Sequence, residues 1–217
     1  MHDGTSKVLT IDDDHYSLGN DSGATFVDIS PDDKYVVMGS SETVSIWEMN
    51  TGRLVQTLRG HKDTVYSVAF TPDGKGLVSG ALDTTVKYWD ISWLGIGSGA
   101  AEDGSRGRQR EGKGKIASNS GSDNTALTST LSPCIMDLTG HRDHVLCVAV
   151  SHDNAWVVSG SRDKSVLFCD ARTGVVQCVL SGHKHYVLAV DLSPVDHLLA
   201  TGSGDWQTRI WTYGVVE

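Results

Sequence analysis

Three histidines in this chain of 217 residues are followed, at the same two distances, by a hydroxyl residue and an aspartate. The first is His61, with Ser79 eighteen residues later and Asp83 four residues after that. Histidine, hydroxyl and carboxylate are the groups that a hydrolase uses for nucleophilic catalysis, and His/Asp pairs also bind metal ions. The same groups can form a chain of hydrogen bonds that ties two loops together.

The recurrence of the spacing favours the structural alternative. A fourth position follows six residues after each aspartate, and it holds tryptophan in two of the three sets. The sets are His61, Ser79, Asp83 and Trp89; His141, Ser159, Asp163 and Cys169; and His183, Thr201, Asp205 and Trp211. An active site occurs once in a domain, whereas a structural frame recurs with each repeat. We therefore interpret all twelve residues as structural tetrads, and expect no catalytic, cofactor-binding or metal-binding residues.

The period of the repeat predicts the fold. His141 and His183 are 42 residues apart, and the 80 residues from His61 to His141 equal one such period plus 38 extra residues. Each period holds three apolar runs of strand length separated by turn residues, and a fourth run leads to the next Gly-His. This pattern resembles the WD repeat. It predicts an all-β WD-repeat β-propeller with about four blades of four antiparallel strands.

Two repeats depart from the pattern. Cys169 takes the place of the tryptophan in the third repeat, which therefore lacks an indole N–H donor and should be tied more weakly. The first repeat, from residue 24 to residue 50, has no Gly-His opening. There Met38 takes the hydroxyl position, and Glu42 is a poor substitute for the aspartate.

The predicted domain organisation follows from these repeats. We expect an N-terminal lead over 1–23 with a closing strand near 7–11, blades one and two over 24–92, and blades three and four over 134–217. The segment 93–133 between them is rich in Gly, Ser and charge, which predicts a disordered insertion. Its basic residues could form a nuclear-import signal, although a plain solvated linker is favoured. Four blades are few for a closed ring, which favours part of a seven-bladed propeller. Closure of four blades alone and an eight-bladed ring shared by two chains through self-association are the alternatives.

The composition excludes several classes of protein. No run approaches the roughly 18 apolar residues that span a membrane, and the four cysteines fit no zinc-binding pattern. The net charge of −9 disfavours direct contact with the DNA backbone. It would suit a basic partner such as a histone tail, or solubility alone.

Longer runs resemble a particular family, the fungal Tup-type transcriptional corepressors, which are Groucho-like. They are GHKDTVYSVAFTPDGKGLVSGALDTTVKYWD from Gly60, GHRDHVLCVAV from Gly140, SGSRDKSVLFCD from Ser159 and ATGSGDWQTRIWTY from Ala200. The resemblance implies a nuclear scaffold that docks DNA-bound repressors and contacts chromatin or other corepressor subunits, without catalysis, membrane contact or direct DNA binding. The alternative is a WD-repeat adaptor or substrate receptor of another complex, such as a ubiquitin ligase.

Partner binding is expected beside the frame residues, where side chains are both rigidly held and exposed. The predicted residues are Thr64, Tyr66 and Leu82 in blade two; His144, Leu146 and Arg162 in blade three; and Tyr186, Leu188 and Trp206 in blade four. The resemblance places Tyr66 where Tup-type propellers have an aromatic residue implied in repressor binding. Partial burial is expected for Leu146 and Leu188.

Overall fold

The fold is built almost entirely from short strands. A computed structural model describes residues 5–9, 15–19, 23–96 and 134–214, with only the backbone described for 5–9 and 15–19. The strands are β1 (Thr5–Leu9), β2 (His15–Gly19), β3 (Phe26–Ile29), β4 (Tyr35–Gly39), β5 (Thr43–Glu48), β6 (Arg53–Arg59), β7 (Val65–Phe70), β8 (Gly76–Ala81), β9 (Val86–Asp90), β10 (Cys134–Leu138), β11 (Val145–Val150), β12 (Trp156–Ser161), β13 (Ser165–Asp170), β14 (Val176–Ser181), β15 (Val187–Leu192), β16 (Leu198–Ser203) and β17 (Thr208–Thr212). One 3-10 turn covers Ser92–Leu94. No helix in these ranges is long and apolar enough to cross a bilayer.

The strands form four antiparallel blades and one separate hairpin. Blade one contains β3 to β6, blade two contains β7 to β10, and blade three contains β11 to β14. Blade four contains β15, β16 and β17, and β1 pairs with β2. The prediction of an all-β propeller fold is confirmed. Blade four has three strands among the described residues.

The strand expected near 7–11 has a different partner from the predicted one. It lies at Thr5–Leu9 and pairs with β2, with Thr5 opposite Gly19 and Leu9 opposite His15. In the described sheets it does not complete blade four, so that expectation is corrected. A hairpin between strands that are adjacent in sequence closes a much shorter loop than pairing with β17 would, and therefore loses less conformational entropy.

The insertion enters blade two between its third and outer strands. Cys134 lies opposite Trp89 and Leu138 opposite Val86, so β10 is the outer strand that the spacing predicted. The first residues of the predicted insertion fold onto this blade, because Ile96 is buried over the turn at Gly74. Residues 97–133, including the basic residues, lie outside the described ranges, so the predicted disorder stays a prediction.

The hydrophobic core lies between successive blades. Val37 and Leu58 of blade one pack with Leu77 and Trp89 of blade two, and similar clusters join blades two to three and three to four. Each fully buried aliphatic side chain contributes about 1.5–3 kcal/mol. Equivalent positions on the outer faces of the array are uncovered, because Val27, Ile29 and Ile210 are 50%, 50% and 64% exposed.

Candidate protein-interaction face

The four side chains of the first set form a continuous chain of hydrogen bonds. His61 Nδ1 lies 3.0 Å from Asp83 Oδ2, and His61 Nε2 lies 2.7 Å from Ser79 Oγ. The indole N–H of Trp89 donates to the same hydroxyl at 2.8 Å. The backbone N–H of Lys62 donates to Asp83 Oδ2 at 2.8 Å. These bonds tie the loop before β7 to the turn between β8 and β9.

Blade four repeats this geometry. His183 Nδ1 lies 3.0 Å from Asp205 Oδ2, and His183 Nε2 lies 2.8 Å from Thr201 Oγ1. The indole N–H of Trp211 donates to Thr201 at 2.9 Å. A threonine hydroxyl therefore serves in the same way as the serine of blade two.

Blade three has the first part of the chain but not its indole. His141 lies 2.9 Å from Asp163 and 2.8 Å from Ser159. Cys169 is buried, and it donates no hydrogen bond to Ser159 among the described residues. The weaker tie expected for this blade stays a prediction.

Blade one shows what the loss of the hydroxyl does. Met38 lies opposite Ser45, at the register position that Ser79 takes opposite Lys87 in blade two. Met38 is fully buried, and the buried indole N–H of Trp47 has no hydrogen-bond partner among the described residues. The sequence showed that Met38 replaces a hydroxyl, but we did not predict that Trp47 would lose its acceptor.

The protonation state of His61 gives the hydrogen-bonded chain of blade two a direction. Burial would raise the pKa of Asp163, but hydrogen bonds from Ser165, from the backbone N–H of Arg142 and from His141 lower it to about 2. Burial lowers the pKa of His61, so its imidazole is neutral at pH 7. Its Nδ1–H then donates a hydrogen bond to Asp83, and its Nε2 accepts a hydrogen bond from the hydroxyl of Ser79.

This connectivity equals that of a Ser-His-Asp hydrolase, yet these hydroxyls are unsuited to attack a substrate. Ser79, Ser159 and Thr201 are 0%, 2% and 1% exposed. A nucleophile must reach the reacting atom at close range, and these oxygens lie inside the blades. The described residues also contain no group of three or more His, Cys, Asp or Glu that could hold a metal ion.

The first strands of blades two, three and four each contain a β-bulge, and a predicted partner-binding residue lies at each bulge. The register passes from Val65 opposite Ala81 directly to Ser67 opposite Gly80, so Tyr66 between them has no cross-strand partner. The same shift occurs at Leu146 in β11 and at Leu188 in β15. A bulge re-aims the side chain of the extra residue, and Tyr66 is 46% exposed.

The two leucines at these bulges differ in burial. Leu146 is half-buried, as expected, but Leu188 is 54% exposed and corrects the expectation of partial burial. Leu188 lies in blade four, and no further described blade packs beside it. Burial at this position therefore depends on the neighbouring blade.

The remaining predicted residues lie at the same end of the blades, which we call the His–Asp face. Backbone N–H groups of Leu82 and Arg162 donate to the carbonyl oxygens of Thr64 and His144, both at 2.9 Å. These bonds hold each loop against the neighbouring turn. Tyr186 and Trp206 lie in the corresponding loop and turn of blade four, and Trp206 is 99% exposed. The guanidinium of Arg162 lies 5.1 Å from the ring centre of Tyr186 and so links blades three and four.

Comparison with known families agrees with this architecture. The model described as "Neurobeachin beta propeller domain" matches residues 5–181, and the model described as "WD domain, G-beta repeat" matches residues 174–212. The chain belongs to the WD-repeat β-propeller family. The tetrads are thus the frames of successive WD repeats, and the chain is a WD-repeat scaffold.

Similar WD-repeat proteins include two fungal repressors. The transcriptional repressor rco-1 of Neurospora crassa is 51% identical over 85 residues, which are 37% of this chain and 14% of that protein. The general transcriptional corepressor TUP1 of Saccharomyces cerevisiae is 35% identical over 160 residues, 71% of this chain and 19% of that protein. The ribosome biogenesis protein WDR12 homolog of Nematostella vectensis is 29% identical over 186 residues, 83% of this chain and 42% of that protein. This chain spans less than half the length of each of the three.

Proposed function

We propose that this WD-repeat chain is a non-catalytic scaffold of a transcriptional corepressor and docks DNA-bound repressors on its His–Asp face. The similarity to rco-1 and TUP1, which are named as a repressor and a corepressor, supports the choice of process. In this proposal the protein works in the nucleus, contacts chromatin or other corepressor subunits, and makes no direct contact with DNA.

The exposed tyrosine at the bulge of β7 is the observation that carries this proposal. Tyr66 projects next to Val65, which is fully buried, so its backbone is held by the core while its ring contacts solvent. Tyrosine is enriched among residues that dominate binding energy. A rigidly held side chain also loses little conformational entropy when a partner binds. The structure therefore favours Tyr66 as the centre of the docking surface, with Thr64 and Leu82 beside it.

A subunit of another WD-repeat complex is the second candidate. The relative named for ribosome biogenesis aligns with 83% of this chain, a larger share than either repressor does. The substrate receptor of a ubiquitin ligase belongs to the same class of interaction scaffold. The fold serves all these assemblies equally, and only the bound proteins distinguish them.

Affinity purification with Tyr66→Ala tests the proposal. We expect the unchanged chain to capture DNA-binding repressors from nuclear extract, and the variant to bind an identified repressor at least about tenfold more weakly. The melting temperature should stay within about 1 °C, since an exposed ring adds little to stability. The control is Val175→Ala, a similarly exposed side chain at the opposite end of blade three.

Three outcomes would contradict parts of this proposal. Ligase or preribosomal subunits in place of repressors would favour the second candidate. Loss of capture together with a lower melting temperature would make Tyr66 a structural residue. An equal loss of capture in Val175→Ala would place the docking surface elsewhere.

A further inference from the structure

The residue after each frame histidine is a cation in all three repeats that open with Gly-His. Lys62, Arg142 and Lys184 are exposed, and their backbone N–H groups donate to the frame aspartates at 2.8, 2.9 and 2.8 Å. The frame therefore fixes the origin of three basic side chains, one on each blade. Arg162 and Lys164, on both sides of a frame aspartate, are exposed as well.

The carboxylates of the same face are mostly turned inward. The side chains of Asp83, Asp163 and Asp205 are only 7%, 12% and 7% exposed, and each accepts hydrogen bonds within its blade. Asp63 and Asp143 are more accessible, but each accepts the backbone N–H of the next residue. A ligand that approaches blades two to four thus meets more cationic than anionic groups.

The turns at the opposite end of the blades carry more acidic than basic residues. They carry Asp32, Asp33, Asp73, Asp153, Asp170 and Asp196 against Lys34, Lys75 and Arg172. Screening limits the reach of a charge to about 8 Å at physiological salt. The charges close to the His–Asp face therefore affect a ligand there more strongly than the net charge of −9 of the whole chain does. The expectation of a basic partner, which rested on net charge, does not take this segregation into account.

We propose that the His–Asp face binds an acidic peptide segment that carries one large apolar side chain. This inference deepens the proposed function and rests on it. The carboxylates of the segment pair with Lys62, Arg142 and Lys184 across blades two to four. The apolar side chain packs on Tyr66 or Leu188, the bulge residues that project from the same face.

A peptide fits these charges better than a nucleic acid does. Nucleic-acid backbones carry closely spaced phosphates, and proteins that bind them neutralise several phosphates with Lys and Arg. Here the frame supplies one fixed cation on each of blades two to four, with apolar side chains between them. Cations that are separated by apolar side chains complement an extended acidic peptide, in which carboxylates are separated by apolar side chains as well.

Fluorescence anisotropy with synthetic peptides tests this inference. The probe is a labelled 12-residue peptide of alternating Glu and Asp with one central Phe. The comparison ligands are the same peptide with Gln and Asn, the same peptide with Lys, and single-stranded oligothymidine of 12 nucleotides. We expect the acidic peptide to bind at least about tenfold more tightly than each comparison ligand, and more weakly as salt rises from 50 to 200 mM.

A pair of double variants localises the binding. Arg142→Glu with Lys184→Glu should weaken the acidic peptide at least about tenfold. Lys75→Glu with Arg172→Glu makes the same charge change at the opposite end and should alter affinity less than about twofold. Circular dichroism of both proteins checks that the fold is retained.

Equal affinity for the acidic and neutral peptides would overturn the inference, as would tighter binding of the Lys peptide or the oligonucleotide. Equal effects of the two double variants would overturn it too. If Tyr66→Ala still abolishes repressor capture in that case, the docking proposal stands and only the charge inference fails. If neither the binding of the acidic peptide nor the capture of repressors depends on the His–Asp face, both the docking proposal and the charge inference fail.

Discussion

Trp47 and Trp89 take the same position in successive blades but differ in one hydrogen bond. The N–H of Trp89 donates to Ser79, whereas the N–H of Trp47 is buried without a partner because Met38 replaces the serine. A made hydrogen bond contributes about 1 kcal/mol, and an unsatisfied buried donor destabilises by about 1–3 kcal/mol. The two indoles should therefore respond differently to replacement by phenylalanine.

We expect Trp89→Phe to lower the free energy of unfolding by at least about 1 kcal/mol more than Trp47→Phe does. The first variant removes a donor from a satisfied network, and the second removes an unsatisfied group. Each variant serves as the volume control for the other in urea unfolding followed by circular dichroism. An equal or larger cost for Trp47→Phe would contradict the assignment of its N–H as unpaired.

The titratable frame residues should make stability fall as the solution becomes acidic. Asp163 has a pKa of about 2 in the fold, against about 4 in an unfolded chain, so the unfolded chain binds more protons between these values. Stability from this residue is complete above about pH 4 and is lost as the pH falls toward 2. The lowered pKa of His61 acts in the same direction, because the unfolded chain takes up a proton near pH 6.5 that the fold disfavours.

Asp163→Asn tests this linkage. We expect the variant to be less stable than the unchanged chain by about 1–2 kcal/mol at pH 7, a value discounted for solvent screening. The difference should shrink as the pH falls through the window from 4 to 2, because the unchanged carboxyl is then neutral too. Chemical unfolding at a series of pH values measures it, and a difference that stays constant would show that ionisation of Asp163 is not involved.

At the scale of the strand, one glycine in blade two and one in blade three set how closely the next blade approaches. A Cβ at Gly80 would lie 2.6 Å from Cγ1 of Val145, and a Cβ at Gly160 would lie 2.6 Å from Cγ1 of Val187. At the equivalent Gly202 the nearest such atom is the Cβ of Ala189, at 3.7 Å. The first two glycines let inner strands of neighbouring blades pack, whereas the third has space beside it.

We expect Gly80→Ala and Gly160→Ala to lower the free energy of unfolding by about 1–3 kcal/mol, because the added methyl overpacks the interface between blades. Gly202→Ala is the matched control and should change it by less than about 0.5 kcal/mol. Urea unfolding of the three variants makes the comparison. A similar loss in Gly202→Ala would mean that the effect arises within the strand and not between blades.

At the scale of the whole molecule, the two outward blade faces differ from the interior ones. Phe168, between blades three and four, is 5% exposed, but the equivalent Ile210 on blade four is 64% exposed. On blade one, Val27 and Ile29 are uncovered in the same way. Apolar blade faces are normally covered by the next repeat in such arrays. Contact between copies of this chain would bury these faces.

We therefore expect the 217-residue chain to self-associate, and Ile210→Lys to shift its molar mass toward that of one chain. Light scattering coupled to size exclusion measures the mass. Val195→Lys is the control, since Val195 is also exposed but lies in a turn and not on the blade face. A monodisperse monomer without any substitution, or an equal shift in the control, would contradict this expectation.

The spacing of histidine, hydroxyl, aspartate and tryptophan determined the family, the period of the repeat and the tetrads. It could do so because a hydrogen-bonded chain needs particular donors and acceptors at fixed separations, and these are visible in the order of residues. The His61 and His183 sets form the complete chains that their residue types predict. The face on which Tyr66 lies followed from the same reasoning.

Only the tertiary structure decided the features that depend on distant or neighbouring strands. They are the bulge that exposes Tyr66, the pairing of β1 with β2, the orphaned N–H of Trp47 and the exposure of Leu188. It also showed that the frame carboxylates of the His–Asp face are turned inward while the cations beside them are exposed. Register, burial and local charge arise from which strands and blades pack together, and a pattern within one repeat does not contain that information.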